Sequence, residues 1–195
     1  GDEDVALFYF SGHGHIDAIG GYIVTPDYSQ DDWGVSMQEI LSIANDSKCR
    51  NRVVILDCCH SGFMGNISST GQTVAAIKDG VTILTASKSD EPAIETNGHG
   101  IFTALLLDAL KGGASDVTGN ITPGGIYAYI DKALGPWKQR PVFKTNVTRF
   151  SPLRTVQPQV DYAILQRIIK YFPNPERELP LDPSYEPTND TAVEH

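Results

Sequence analysis

Residues 53–62 read VVILDCCHSG and residues 8–14 read FYFSGHG: two apolar runs, each breaking off at a glycine-bearing turn that carries a histidine or a cysteine. The first belongs to the β-rich stretch 52–58 (RVVILDC) and the second to the stretch 5–10 (VALFYF). Further runs at 81–86 (VTILTA) and, more weakly, at 141–145 (PVFKT) have the same character. Nearly continuous apolar strands of this kind are expected in parallel sheets covered on both faces. Helix signals lie between and after them. Ser36 and Glu39 form a capping box before Ile40, Leu41 and Ile43. Ile101, Phe102, Leu105, Leu106, Ala109 and Leu110 make an apolar stripe closed by Gly112 and Gly113. Thr122 and Pro123 open a third helix that carries Ile126, Ile130, Ala133 and Leu134. Strands alternating with helices predict an α/β sandwich.

The chain of 195 residues can bury a substantial core. It holds 15 Lys plus Arg against 24 Asp plus Glu, a net charge of −9, and no basic block. A nucleic-acid surface needs clustered cations, so nucleic acid is not an expected partner. No apolar run approaches the ~18 residues that span a membrane, so no membrane partner is expected either. Three cysteines, Cys49, Cys58 and Cys59, make a poor disulfide framework and suit a reducing, cytoplasmic setting. Residues 151–195 differ in composition, with seven of the twelve prolines. An amphipathic helix around Ile164, Leu165, Ile168, Ile169 and Phe172 is expected there, followed by an acidic, Pro-rich linker or tail.

In open α/β sheets, active sites lie outside the carboxyl ends of the strands. Two such ends here carry Ser11-Gly12-His13-Gly14 and Asp57-Cys58-Cys59-His60-Ser61-Gly62. Side chains alternate along extended chain, so Ser11 goes with His13 and Asp57 with Cys59, leaving Cys58 on the opposite side as a structural thiol. A nearby imidazole raises the thiolate character of a cysteine or takes its proton during attack on a carbonyl. Adjacent glycines let backbone N–H groups approach a developing oxyanion. Cys49, His15, His60 and His99 carry no motif that makes them catalysts, and Glu91 and Glu95 read as solvated carboxylates. A metal site of His13, His15, Cys58, Cys59 and His60 is disfavoured by the adjacent Cys-Cys-His spacing.

FYFSGHG followed by VVILDCCHSG resembles the caspase-like cysteine peptidases, and the DxCHSG form resembles metacaspases and their bacterial relatives. TASKSDEPAIE at 85–95, GIFTALLLDAL at 100–110 and QRPVF at 139–143 fit the same pattern. The resemblance implies a caspase-like α/β/α sandwich with a mainly parallel central sheet over residues 1–150. The first strands and helices of that fold would be absent. It also implies His13 as general base, Cys59 as nucleophile, the N–H groups of Gly14 and Cys59 as oxyanion hole, and Ser11 and Asp57 as pocket residues. A pocket carboxylate favours a cationic side chain, so cleavage after Arg or Lys is expected. A catalytically inactive binding scaffold is the alternative. No cofactor is implied. Metacaspases that need calcium carry an acidic pair where Ser36 and Met37 stand here, after Pro26, Asp27 and Tyr28, so a calcium requirement would have to rest on Asp31 and Asp32. The loop at 65–80, with Lys78, is where self-cleavage would fall. Expected partners are a protein or peptide substrate and, as in bacterial relatives, sensor or effector domains reached through the tail.

Overall fold

The computed structural model describes residues 5–29, 32–58, 77–86, 95–96, 99–135, 140–168 and 170. Along the chain these form β1 (Val5–Ser11), β2 (Gly14–Ile16), β3 (Gly21–Ser29), β4 (Asp32–Ser36), α1 (Met37–Asp46), β5 (Asn51–Asp57) and β6 (Val81–Thr85). They continue with β7 (Glu95–Thr96), β8 (His99–Gly100), α2 (Ile101–Asp108), β9 (Asn120–Ile121), α3 (Pro123–Leu134), β10 (Val142–Asn146), β11 (Arg154–Thr155) and α4 (Tyr162–Ile168).

The central sheet runs in the order β1-β5-β6-β10. β5 lies between β1 and β6, parallel to both, with Val5 opposite Asn51 at one end of the β1 pairing and Ser11 opposite Asp57 at the other. β5 is buried along its whole length, as its uninterrupted apolar run requires. The sheet is mainly parallel, as expected, with one departure: the fourth strand, β10, is antiparallel to β6, with Val142 opposite Thr85. Among the described residues β1 is the outermost strand on its side, and its Leu7, Phe8 and Tyr9 are exposed.

Each face of the sheet carries its own core. On one face α1 presents Met37, Ile40, Leu41 and Ala44 to Val54, Leu56, Cys58 and Ile83. Those four positions follow the i, i+3, i+4, i+7 spacing of one helical stripe. Ser36 starts that helix, its hydroxyl accepting the Gln38 N–H at 3.2 Å. On the other face α2 and α3 bring Phe102, Leu106, Ile126 and Ile130 against Val53, Ile55 and Leu84. Thr122 caps α3 by accepting the Gly125 N–H at 3.1 Å, and Pro123 occupies its first turn. Each fully buried Ile or Leu contributes roughly 1.5–3 kcal/mol through area removed from water.

A three-stranded antiparallel sheet, β2-β3-β4, extends from the carboxyl end of β1. It places His15 against Trp33 in a ring stack at 3.7 Å. The compact unit runs to Gln159, since β11 pairs antiparallel with β9 beyond residue 150. Residues 160–195 form a separate unit in which Asp161 starts α4 by accepting the Ala163 N–H at 2.8 Å. Ile169 and Phe172 of the expected helix lie outside the described residues. No described helix is long and apolar enough to cross a membrane.

Arg52, at the amino end of β5, is only 8% exposed. Its Nε donates to the Ala44 carbonyl at 2.9 Å and Nη2 to that of Asp79 at 2.8 Å, while Nη1 serves the carbonyls of Cys49 and Arg50. No carboxylate pairs with it among the described residues. Gly80 closes this corner, its carbonyl accepting the Arg52 N–H at 2.8 Å. At Gly80 φ is +84°, and a Cβ there would lie 2.0 Å from the Arg50 carbonyl oxygen, so only glycine fits.

Candidate active site

The carboxyl ends of β1 and β5 lie side by side, which brings Ser11 and Asp57 into register. Beyond that last strand pair the Gly12 N–H still donates to the Asp57 carbonyl at 3.1 Å, so the backbone remains tied to β5 as it enters the turn. At Gly12 a Cβ would stand 2.8 Å from the tip of the Phe10 ring, so a side chain there would require that ring to shift. The His13 carbonyl then accepts the Val24 N–H at 2.9 Å, anchoring the turn to β3 from the other side. His13 is thereby fixed by its backbone while its side chain is exposed, and its imidazole makes no hydrogen bond among the described residues. Gly14 opens β2, paired with Ile23.

Asp57 is 5% exposed. Its Oδ2 accepts the Thr103 N–H at 3.1 Å and, at shorter range, the Thr103 hydroxyl. Thr103 lies in the first turn of α2, so a carboxylate from β5 takes up one of the free N–H groups at that helix start. Gly100 is the cap residue of α2, and its lack of a side chain matters: a Cβ would stand 2.5 Å from Asp57 Oδ2. The Thr103 hydroxyl also meets the Tyr9 hydroxyl at 2.7 Å. Neither Thr103 nor Tyr9 stood out in the sequence, where both read as members of apolar runs. The one available signal was that each is a hydroxyl among hydrocarbon side chains.

Cys58 is 1% exposed and belongs to the core on the α1 side, opposite the face of Asp57. That agrees with its reading as a structural thiol. Cys59 and His60 lie outside the described residues, as do Glu91 and Asp31. Of the segment considered for calcium, Met37 is completely buried and Ser36 is engaged as a helix cap. Asp32 accepts the Gly34 N–H at 3.1 Å, and Asp27 is held below the usual carboxylate range, chiefly by a hydrogen bond from Thr25. Among the described residues no three His, Cys, Asp or Glu side chains converge to hold a metal ion.

The caspase domain family matches residues 1–149, and the chain belongs to it. That family consists generally of cysteine peptidases. Among solved structures, the chain is similar to caspase-1 from Spodoptera frugiperda, at 11% identity and a TM-score of 0.43. That match covers 60% of this chain and 54% of the insect protein, so the chain spans about half the length of that relative. It is also similar to a protein of Geobacter sulfurreducens, at 18% identity and a TM-score of 0.48, over 80% of this chain and 72% of the other. No curated protein matches the chain.

Proposed function

We propose that the chain carries the centre of a metacaspase-like cysteine endopeptidase that cleaves after Arg or Lys. The observation that carries this reading is the pairing of Ser11 with the buried carboxylate of Asp57 on adjacent parallel strands, two residues before an exposed His13. In this mechanism the Cys59 thiolate attacks the peptide carbonyl, and the Gly14 and Cys59 N–H groups stabilise the oxyanion. His13 accepts the thiol proton and delivers it to the leaving amine. Water then hydrolyses the thioester, releasing the carboxylate product and restoring the thiol. Ser11 and Asp57 line the pocket that takes the cationic side chain before the scissile bond.

A fluorogenic panel with Arg, Lys or Asp before the scissile bond tests the reading. Turnover of the Arg and Lys peptides, at least about tenfold above Asp, is expected from one buried carboxylate, which offers a cation a charge-assisted hydrogen bond. A preference for Asp overturns the pocket, and activity that a chelator removes and only zinc restores favours the metal alternative.

Self-cleavage after Lys78 belongs to the same proposal, as an intermolecular step. The Lys78 amine pairs with Asp46 at 2.7 Å, and its N–H donates to the Asn45 side chain at 2.9 Å. These contacts sit at the amino end of β5, where Gly80 meets Arg52. The five-residue step from there to Asp57 is about 17 Å at ~3.3 Å per residue. A fragment ending at Lys78 should therefore accumulate with a half-life that shortens in proportion to protein concentration, as followed by mass spectrometry. An intact chain in an active preparation, or a half-life independent of concentration, contradicts this.

A further inference from the structure

We infer that Thr103 determines how the pocket reads its cation, by consuming one oxygen of Asp57 and leaving the other as a one-point acceptor that treats lysine and arginine alike. This rests on the pocket role proposed above for Asp57. The proton arrangement follows from which groups can donate. A carboxylate only accepts, so the single hydroxyl hydrogen of Thr103 points to Oδ2. The 2.7 Å contact between the Thr103 and Tyr9 hydroxyls must then use the phenolic hydrogen, with Thr103 accepting. The resulting chain runs from Tyr9 O–H to Thr103 O–H to Asp57 Oδ2, each bond polarising the next. The Thr103 N–H adds a second donor to the same oxygen at 3.1 Å.

An oxygen that already accepts two hydrogen bonds has no lone pair for a third. Gly100 leaves room for this carboxylate, since a Cβ there would stand 2.5 Å from Oδ2 and 3.1 Å from Oδ1. Among the described residues no donor takes Oδ1, and that is the oxygen left for a ligand. Arginine's advantage over lysine at a carboxylate comes from two parallel N–H bonds, one to each oxygen. With Oδ2 consumed that fork has one prong to use, and a lysine ammonium makes an equivalent single contact. Thr103 is thus a positioning residue whose removal would favour arginine, since Oδ2 would regain a free lone pair.

The test is calorimetric titration of the full chain with product peptides ending in Arg, Lys or norleucine, which occupy the pocket without turnover. The wild-type protein should bind the Arg and Lys peptides within about threefold of each other, for want of a second charge-assisted bond. Thr103→Val should shift the ratio toward arginine by roughly tenfold, the worth of one such bond. Tyr9→Phe leaves both Thr103 donors on Oδ2 and should keep the wild-type ratio, as should Thr103→Ser. Should Thr103→Val fold poorly, Thr103→Ala, which removes the same hydroxyl with less bulk, carries the same comparison. An unchanged ratio in the folded Thr103→Val or Thr103→Ala variant, or a wild-type preference for Arg above about threefold, overturns the inference. Asp57→Asn separates this failure from that of the pocket itself. If the cationic peptides keep their advantage over norleucine in Asp57→Asn, the pocket reading falls. If that advantage disappears while the Thr103 variants keep the wild-type ratio, only the role of Thr103 falls.

Discussion

Cys59→Ala, in protein that turns over an arginine peptide, is expected to lose about 10⁴-fold or more of kcat/KM, and His13→Ala about 10³-fold. The difference in size follows from the chemistry. Without the sulfur no thioester forms, and what remains is binding and the oxyanion hole acting on water. Without the imidazole the thiol still ionises to a few per cent at neutral pH, so a weak nucleophile survives. The double variant should be no worse than Cys59→Ala alone, because the two groups act in one step. Cys58→Ala supplies the internal contrast. Its thiol is buried in the α1-side core, on the opposite face of the strand from Asp57, so activity should stay within about threefold while stability falls by roughly 1–2 kcal/mol. Steady-state kinetics on the four variants decide the matter. Activity surviving in Cys59→Ala refutes the mechanism, and equal losses in Cys58→Ala and Cys59→Ala refute the assignment of roles by strand alternation.

The strands that position this centre were legible because burial on two faces demands an unbroken apolar run. Residues 51–57 and 81–85 have such runs and occupy the middle of the sheet. The same signal carries no mark of direction: PVFKT reads like the other apolar runs, and β10 runs antiparallel. The β2-β3-β4 sheet was missed because its strands are short or interrupted, with Gly34 at a φ of +123° and a register shift between Val24 and Ser29. At the site, alternation correctly separated Cys58 from Asp57. What alternation could not show was the partner of the Asp57 carboxylate, since Thr103 lies 46 positions away inside IFTALLLD, where its neighbours advertise only an apolar stripe. The oxyanion-hole and nucleophile roles of Cys59 remain proposals drawn from the motif.

Arg52→Met is expected to destabilise the protein by about 3–5 kcal/mol while leaving the KM of the folded enzyme for arginine peptides unchanged. Nothing in RNRVV singles out this arginine, because its partners are backbone carbonyls that no side-chain pattern reveals. Its guanidinium satisfies four of them, from Ala44 in the last turn of α1, from Cys49 and Arg50 in the connection to β5, and from Asp79 before β6. Three segments are thus held by one planar fork, and the cation also meets the negative end of the α1 dipole. Met matches the length and apolar stem of Arg but donates nothing, so the four acceptors lose their partner in a corner that Gly80 keeps closed. Each buried acceptor left unpaired costs about 1–3 kcal/mol, and partial entry of water keeps the sum below four full penalties. Lysine can reach one or two of the carbonyls with a point charge, so Arg52→Lys should fall between wild type and Arg52→Met. Urea denaturation reads the effect as a lowered midpoint at constant slope. A loss under 1 kcal/mol in Arg52→Met would mean that these carbonyls find other donors. An altered KM in the folded variant would mean that the amino end of β5 communicates with Asp57 at its other end, which the rigidity of a fully buried strand argues against.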